Sequence, residues 1–137
     1  MWPIYLWAVT QSGGVSTVSW VNHWSATVTA YKHVDYARLL SCFVRDDSLA
    51  TALAAGAAVI VITAQMDRVC GKYGNRGWSY VLIEAGQVLA HLEQNASSLG
   101  LSTRALGGFY EARVQEVVLP EDLAPLLCVL VADEQGA

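Results

Sequence analysis

Residues 70–99 read CGKYGNRGWSYVLIEAGQVLAHLEQNASSL, and the rest of the chain is organised around them. Gly71, Gly74 and Gly77 punctuate the opening, so the spacing predicts an irregular turn feeding straight into the longest helix of the protein. On that helix Trp78, Val81, Ala85, Val88, Leu92 and Leu99 recur at helical steps. Leu82, Leu89 and Ala96 widen the stripe, which predicts a mostly buried helix. Four ionisable side chains, Lys72, Tyr73, Arg76 and Tyr80, gather where the turn meets the helix start.

Working outward, the flanking segments read as sheet and short helices. Ile4 to Thr10 is an apolar, aromatic run stopped by Ser12-Gly13-Gly14, the pattern of a strand. Val18, Trp20, Trp24, Ala26, Val28 and Ala30 alternate with Thr and Ser around Asn22-His23, which predicts a β-hairpin with one buried face and two tryptophans beside its turn. His23 reads as a turn residue, since no second ligand is spaced to join it. Asp35 caps a short helix through Leu40, and Asp46-Asp47 open another that stops at Gly56. Ala57 to Ala64 (AAVIVITA) is a buried middle strand. Beyond the long helix, Ser102 to Leu106 reads as a strand, Gly107-Gly108-Phe109 as a tight turn and Tyr110 to Val118 as a helix. Pro125 to Ala132 is a second buried strand. The order predicts an α+β fold, with helices packed on a mainly antiparallel sheet around one long central helix.

The 137 residues are 54% hydrophobic and only 15% charged, with a net charge of −4. So little polar surface predicts an oligomer or a partner that covers part of the molecule. The acidic balance and the lack of any basic run exclude a nucleic-acid footprint. No run of eighteen apolar residues occurs, which argues against a membrane span. Cys42, Cys70 and Cys128 are odd in number and lack paired spacing, so reduced thiols in a cytoplasm are expected, with no metal site.

Read on their own, Lys72 and Tyr73 are the best candidates for chemistry. A lysine acts as a base when burial or nearby positive charge disfavours its ammonium form. The start of the long helix and Arg76 would supply such potential, and Tyr73 would relay a proton. The alternative is a solvated loop lysine beside a core tyrosine. Glu84 and His91 lie two turns apart on one helix face; as ligands or a proton pair they would be separated by about 10 Å, so they read as solvent or interface positions.

The run KYGNRGWSYVLIEAGQVLAHLEQNASSLGLSTRALGGF resembles the C-terminal half of SagB/McbC-type dehydrogenases, a branch of the FMN-dependent nitroreductase superfamily. That family pattern is a Lys-Tyr-Gly-x-Arg turn, an aromatic helix start, Leu-x-Glu-Ala-Gly-His, then a Gly-Leu-Gly strand and a Gly-Gly-Phe turn. The chain keeps Lys72, Tyr73, Gly74, Arg76, Gly77, Tyr80, Glu84, Ala85, Gly86, Gly100, Leu101, Gly107, Gly108 and Phe109. Gln87 stands where His is common, and Ser102 where Gly is common. The likeness runs over roughly residues 49–131 and is loose before that.

Members of that family oxidise thiazolines or oxazolines in peptide natural products to azoles, a base taking the ring Cα proton as hydride passes to the flavin. The resemblance therefore implies a catalytic role for Lys72 and Tyr73, and places Arg76 and the Gly107–Gly108 backbone against FMN. It also implies a homodimer, or a heteromer with a flavin-dependent homologue. Family members bind the FMN phosphate through an N-terminal Arg-x-Ser-x-Arg segment, and this chain begins at the strand that follows it. No arginine precedes Arg38, and Asp133 and Glu134 stand where the family often carries a basic residue. The expectation is a single nitroreductase-like domain over residues 1–137 that lacks the N-terminal FMN-binding segment. It would be a peptide-tailoring enzyme acting on peptide-like or small-molecule substrates, either with FMN or as a flavin-free proton-transfer catalyst using Lys72 and Tyr73. The alternative is a non-catalytic scaffold supporting a full-length homologue.

Overall fold

The computed structural model describes residues 4–134. Six strands form one sheet: β1 (Ile4–Ser12), β2 (Val15–Asn22), β3 (Thr27–Asp35), β4 (Ala58–Ala64), β5 (Leu101–Leu106) and β6 (Ala124–Asp133). Their order across the sheet is β3-β2-β1-β4-β6-β5, and every neighbouring pair is antiparallel. The β1–β2 link is a two-residue turn in which Gly13 and Gly14 take φ of +58° and +81°. Both values lie in the region glycine enters without penalty, and the turn twists with its strands. β4 is the middle strand its apolar run predicts, paired with β1 on one side and β6 on the other.

Alternation along β4 sends side chains to two helical layers. Val59 and Val61 face a large core shared with α1 (Tyr36–Leu40), α2 (Asp47–Ala54) and α5 (Glu111–Val117). Ile62 and Ala64 face a smaller core under α3 (Met66–Tyr73) and α4 (Arg76–Ser98). The first core contains Leu39, Leu49, Leu53, Val114 and Leu130, all essentially inaccessible to solvent.

Both expected caps are present. Asp35 accepts from the Ala37 and Arg38 N–H groups, and Asp46 accepts from those of Ser48 and Leu49. The Ser48 hydroxyl also donates to Asp46 at 2.6 Å, and with the backbone bonds it holds that carboxyl below the ordinary value of 3.8. A depressed folded pKa contributes stability that is complete above the unfolded value and is lost as pH falls through the folded one. Asp46→Asn is therefore expected to flatten the acid limb of a stability–pH curve below about pH 4. Equal acid sensitivity in variant and parent would remove this role.

Three expectations change. The glycine-punctuated stretch before the long helix is itself helical: α3 runs from Met66 to Tyr73, and only Gly74-Asn75 turns. The long helix is not mostly buried. Val81 and Ala85 pack on the sheet, Gly77 lies against α3 and Ala96 is buried, whereas Trp78, Leu82, Ile83 and Leu99 are exposed. The hairpin's β3 arm, an edge strand, leaves the predicted apolar positions near its turn uncovered: Trp24 and Val28 stand in solvent, and only Val34 at the far end reaches the core under α1. Among the described residues no helix is long and apolar enough to cross a membrane.

Candidate functional site

The turn between α3 and α4 builds the cluster that the sequence singles out. Gly74 closes α3 with φ +58° and ψ −146°, a conformation a Cβ would strain. Three residues on, Gly77 brings the helices into contact: a Cβ there would stand 3.1 Å from the Val69 backbone and side chain. This approach stacks four side chains. Lys72 Nζ lies 5.0 Å from the Tyr73 ring centroid, and Tyr73 meets Tyr80 edge-on at 5.4 Å and 85°. Arg76 Cζ sits 5.9 Å from the centroid of Tyr80. The structure thus brings Lys72, Tyr73, Arg76 and Tyr80 together as alternating cations and rings, each contact within cation–π or aromatic reach.

Two features of their setting differ from expectation. Lys72 occupies the last turn of α3, so the helix end nearest in sequence is a carbonyl-rich C-terminus and not the start of the long helix. All four side chains are exposed, so water screens them. Proton abstraction by an amine needs that water removed. A second surface laid over the cluster would do this.

The Gly107–Gly108 turn lies elsewhere on the same end of the sheet. Register aligns Leu106 with Cys128 and Val61, so the turn follows β5 towards the level at which β4 enters α3. Gly108 O accepts from Val44 N–H at 2.7 Å, and a Cβ on Gly108 would press Val44 at 3.3 Å. Around Gly107 the space is open to 4 Å. A groove of about 520 Å³ runs past it, lined by Phe43, Arg45, Asp46 and Arg104 among others. Among the described residues no hydrogen bond, ion pair or ring contact joins this turn to the Lys72 cluster, since α5 and α2 share one face of the sheet and α3 and α4 the other. If this turn backs a flavin ring, as the resemblance implies, Gly107→Val is expected to leave thermal stability unchanged but to weaken FMN binding at least tenfold, by filling the space a flat ring needs. An unchanged dissociation constant in a fluorescence titration would reduce the turn to a structural role.

Glu84 is partly buried on the long helix, not open to solvent. Glu84 follows Arg76 and Tyr80 at four-residue steps, a spacing visible in the sequence, and burial pushes its carboxyl above the ordinary range. His91 is exposed, on the rim of a small apolar groove with Val88, Leu92 and Asn95. His23 sits in the β2–β3 turn with its ring 5.1 Å from that of Trp24. Among the described residues no three metal-ligating side chains cluster.

The model of the nitroreductase family matches residues 20–131, and the chain belongs to that family. A Methanocaldococcus jannaschii protein described as a nitroreductase is 36% identical over 69 residues, half of this chain and 35% of that one. Among solved structures, one chain of the Escherichia coli microcin synthetase McbBCD complex, with truncated pro-MccB17 bound, superposes with a TM-score of 0.79 at 19% identity. The match covers 96% of this chain and 52% of that one. A nitroreductase-type protein of Anabaena variabilis gives 0.78, also at 19% identity, over 96% of this chain and 27% of its own. The chain therefore spans about half or less of these relatives, and the solved structures establish a shared fold.

The nitroreductase family generally binds FMN. The described residues of one chain fit its ring end and not its phosphate end. Gly107 leaves backbone open to a flat ring. A phosphate dianion needs charge-assisted donors. In the groove beside Gly107, Arg45 lies 3.7 Å from Asp47, and Arg104 is held by Asp46 at 3.2 Å and Ser48 at 3.0 Å. A larger groove of about 720 Å³, beside Gly56 and Leu101, carries Asp133 and Glu134. Among the described residues, Arg68, Lys72 and Arg76 have no carboxylate within 4.0 Å, yet they belong to the opposite helical layer.

Proposed function

We propose that this chain is a tailoring oxidoreductase of peptide natural-product biosynthesis, of the azoline-dehydrogenation type, with an active site completed by a second chain. The observation that carries this reading is the exposed Lys72–Tyr73–Tyr80–Arg76 cluster beside an uncovered apolar helix face. Trp78, Leu82 and Ile83 are 49%, 56% and 63% exposed, and a partner covering them would exclude water from the neighbouring amine. The partner is a second copy or a flavin-dependent homologue, and the likeness to a chain of the McbBCD complex supports a multi-chain assembly on a peptide substrate. In that assembly Lys72 takes the proton from the substrate's carbon acid and Tyr73 relays it, while Arg76 holds an anionic group. Gly107 and Gly108 present backbone to a ring. FMN binding is assigned to the assembled form, with phosphate donors from the second chain. The three free cysteines suit a reducing cytoplasm.

A second reading is favoured by Asp133 and Glu134: carboxylates in the large groove repel a phosphate, as in a flavin-free catalyst or a supporting subunit. The deciding experiment is FMN titration by visible absorbance, with mass measured by light scattering. Near-stoichiometric flavin in a dimer or heteromer is the expected result. Flavin on a monomer would sink the shared site, and an assembled protein that refuses FMN would establish the flavin-free reading.

A further inference from the structure

On the α1–α5 side of the sheet, opposite the α3–α4 layer, two arginines share one carboxylate. Glu116 lies between two arginines: Oε1 is 3.6 Å from Arg38 Nη2, and Oε2 is 3.4 Å from Arg113 Nη1. Arg113 Nη2 also donates to Ser41 Oγ at 2.6 Å, and the Ser41 hydroxyl donates onward to Arg38 O at 2.6 Å. Lys32 of β3 is half-buried in the field of Arg38, two residues before the core residue Val34 and so on the same face of the strand, with Nζ 5.5 Å from the Tyr31 ring centroid. Burial and the Arg38 charge together press Lys32 towards its neutral form. The buried Cys42 thiol lies beneath, in the field of all three cations.

This concentration of positive charge stands out on its face of the sheet, in a chain that is acidic as a whole. Twelve acidic residues outnumber eight basic ones, and Arg45 and Arg104 each have their own aspartate. Asp35, at the start of α1, is turned to the α1 N–H groups at 3.1 and 3.4 Å. Like charges held together cost free energy unless an anion offsets them. The guanidinium forks are held in place by Ser41 and Glu116, so less side-chain entropy is lost when a ligand arrives.

We propose that Lys32, Arg38 and Arg113 form an oxyanion-binding site that takes a carboxylate- or phosphate-bearing ligand. Glu116 is its internal competitor, holding the arginines until a stronger anion displaces it. The site is independent of the chemistry assigned to Lys72.

Calorimetric titration with inorganic phosphate and, separately, with a hexaglutamate peptide tests this at low salt. Saturable binding of at least one probe is expected, weakened about tenfold by Lys32→Gln or Arg38→Gln and tightened several-fold by Glu116→Gln. Arg113 is left intact because it ties α5 to α1. Phosphate binding without peptide binding identifies a free oxyanion; tighter peptide binding identifies carboxylates on a partner. Either outcome upholds the site. Failure of both probes to saturate, or affinities indifferent to both Lys32→Gln and Arg38→Gln, overturns it.

Discussion

On the proposed azoline-dehydrogenation reading, Lys72→Ala in the assembled protein is expected to lower turnover of a thiazoline-bearing peptide by at least about 100-fold, the range a positioned acid–base group supplies. The melting temperature should stay within about 2 °C, because Lys72 ends α3 in solvent and supports no core. Lys72→Arg separates two roles. Arginine keeps the charge and the stacking on Tyr73 but does not lose its proton, so it should be as inactive as alanine if the amine accepts the substrate proton. Recovery of activity by arginine would make Lys72 an electrostatic support. Undiminished turnover in Lys72→Ala, read as loss of two hydrogens by mass spectrometry, would end the catalytic assignment.

The largest structural effect is expected from Gly77→Leu. A Cβ at this position already stands 3.1 Å from the Val69 carbonyl carbon and oxygen, and backbone cannot swing aside as a side chain can. The four extra carbons must push α3 and α4 apart, an overpacking cost of about 3 kcal/mol or somewhat less. For a chain of this length that corresponds to a fall of about 10 °C in melting temperature. Gly77→Ala should be far milder, since the gain in helix propensity, about 1 kcal/mol, offsets part of the contact. Separation of the helices would also part Tyr73 from Tyr80, so Gly77→Leu should lose the cluster's activity even at temperatures where it is folded. A melting temperature equal to that of the parent would show that α3 is not seated by this contact.

Much of the fold was legible because local chemistry and burial agree. The β-branched run of β4, the Asp35 and Asp46 caps and the glycine ends of α2 and α4 each carry their own signal. α3 was missed because Gly71 lowers its helix signal and Val69 is its one buried residue. Met66, Val69 and Tyr73 nevertheless keep helical spacing. The exposure of β3 was not legible, since Val28 and Ala30 alternate in the same way whether or not a helix covers them; only the strand order decides. The wide apolar stripe of α4 misled in a related way. Periodicity reports that a face avoids water, not whether the sheet or a second chain covers it. Within the candidate site, the grouping of Lys72, Tyr73, Arg76 and Tyr80 was readable from proximity along the chain. The separation of Gly107 from them was not, because it depends on which face of the sheet each helix takes.

The pairing of β4 sets a timetable for synthesis. Its first partner, β1, is already made when β4 emerges, but its second, β6, begins sixty residues beyond the end of β4. At ordinary translation rates that leaves one edge of AVIVITA unpaired for about 3–12 s. The segment is uncharged, free of proline and rich in β-branched residues, the composition that joins readily to like strands from other chains. Meanwhile the β1–β2–β3 meander can form by itself from neighbouring residues. Soluble yield should therefore depend on how long nascent chains are kept apart, improving with slower initiation, lower temperature or a holding chaperone.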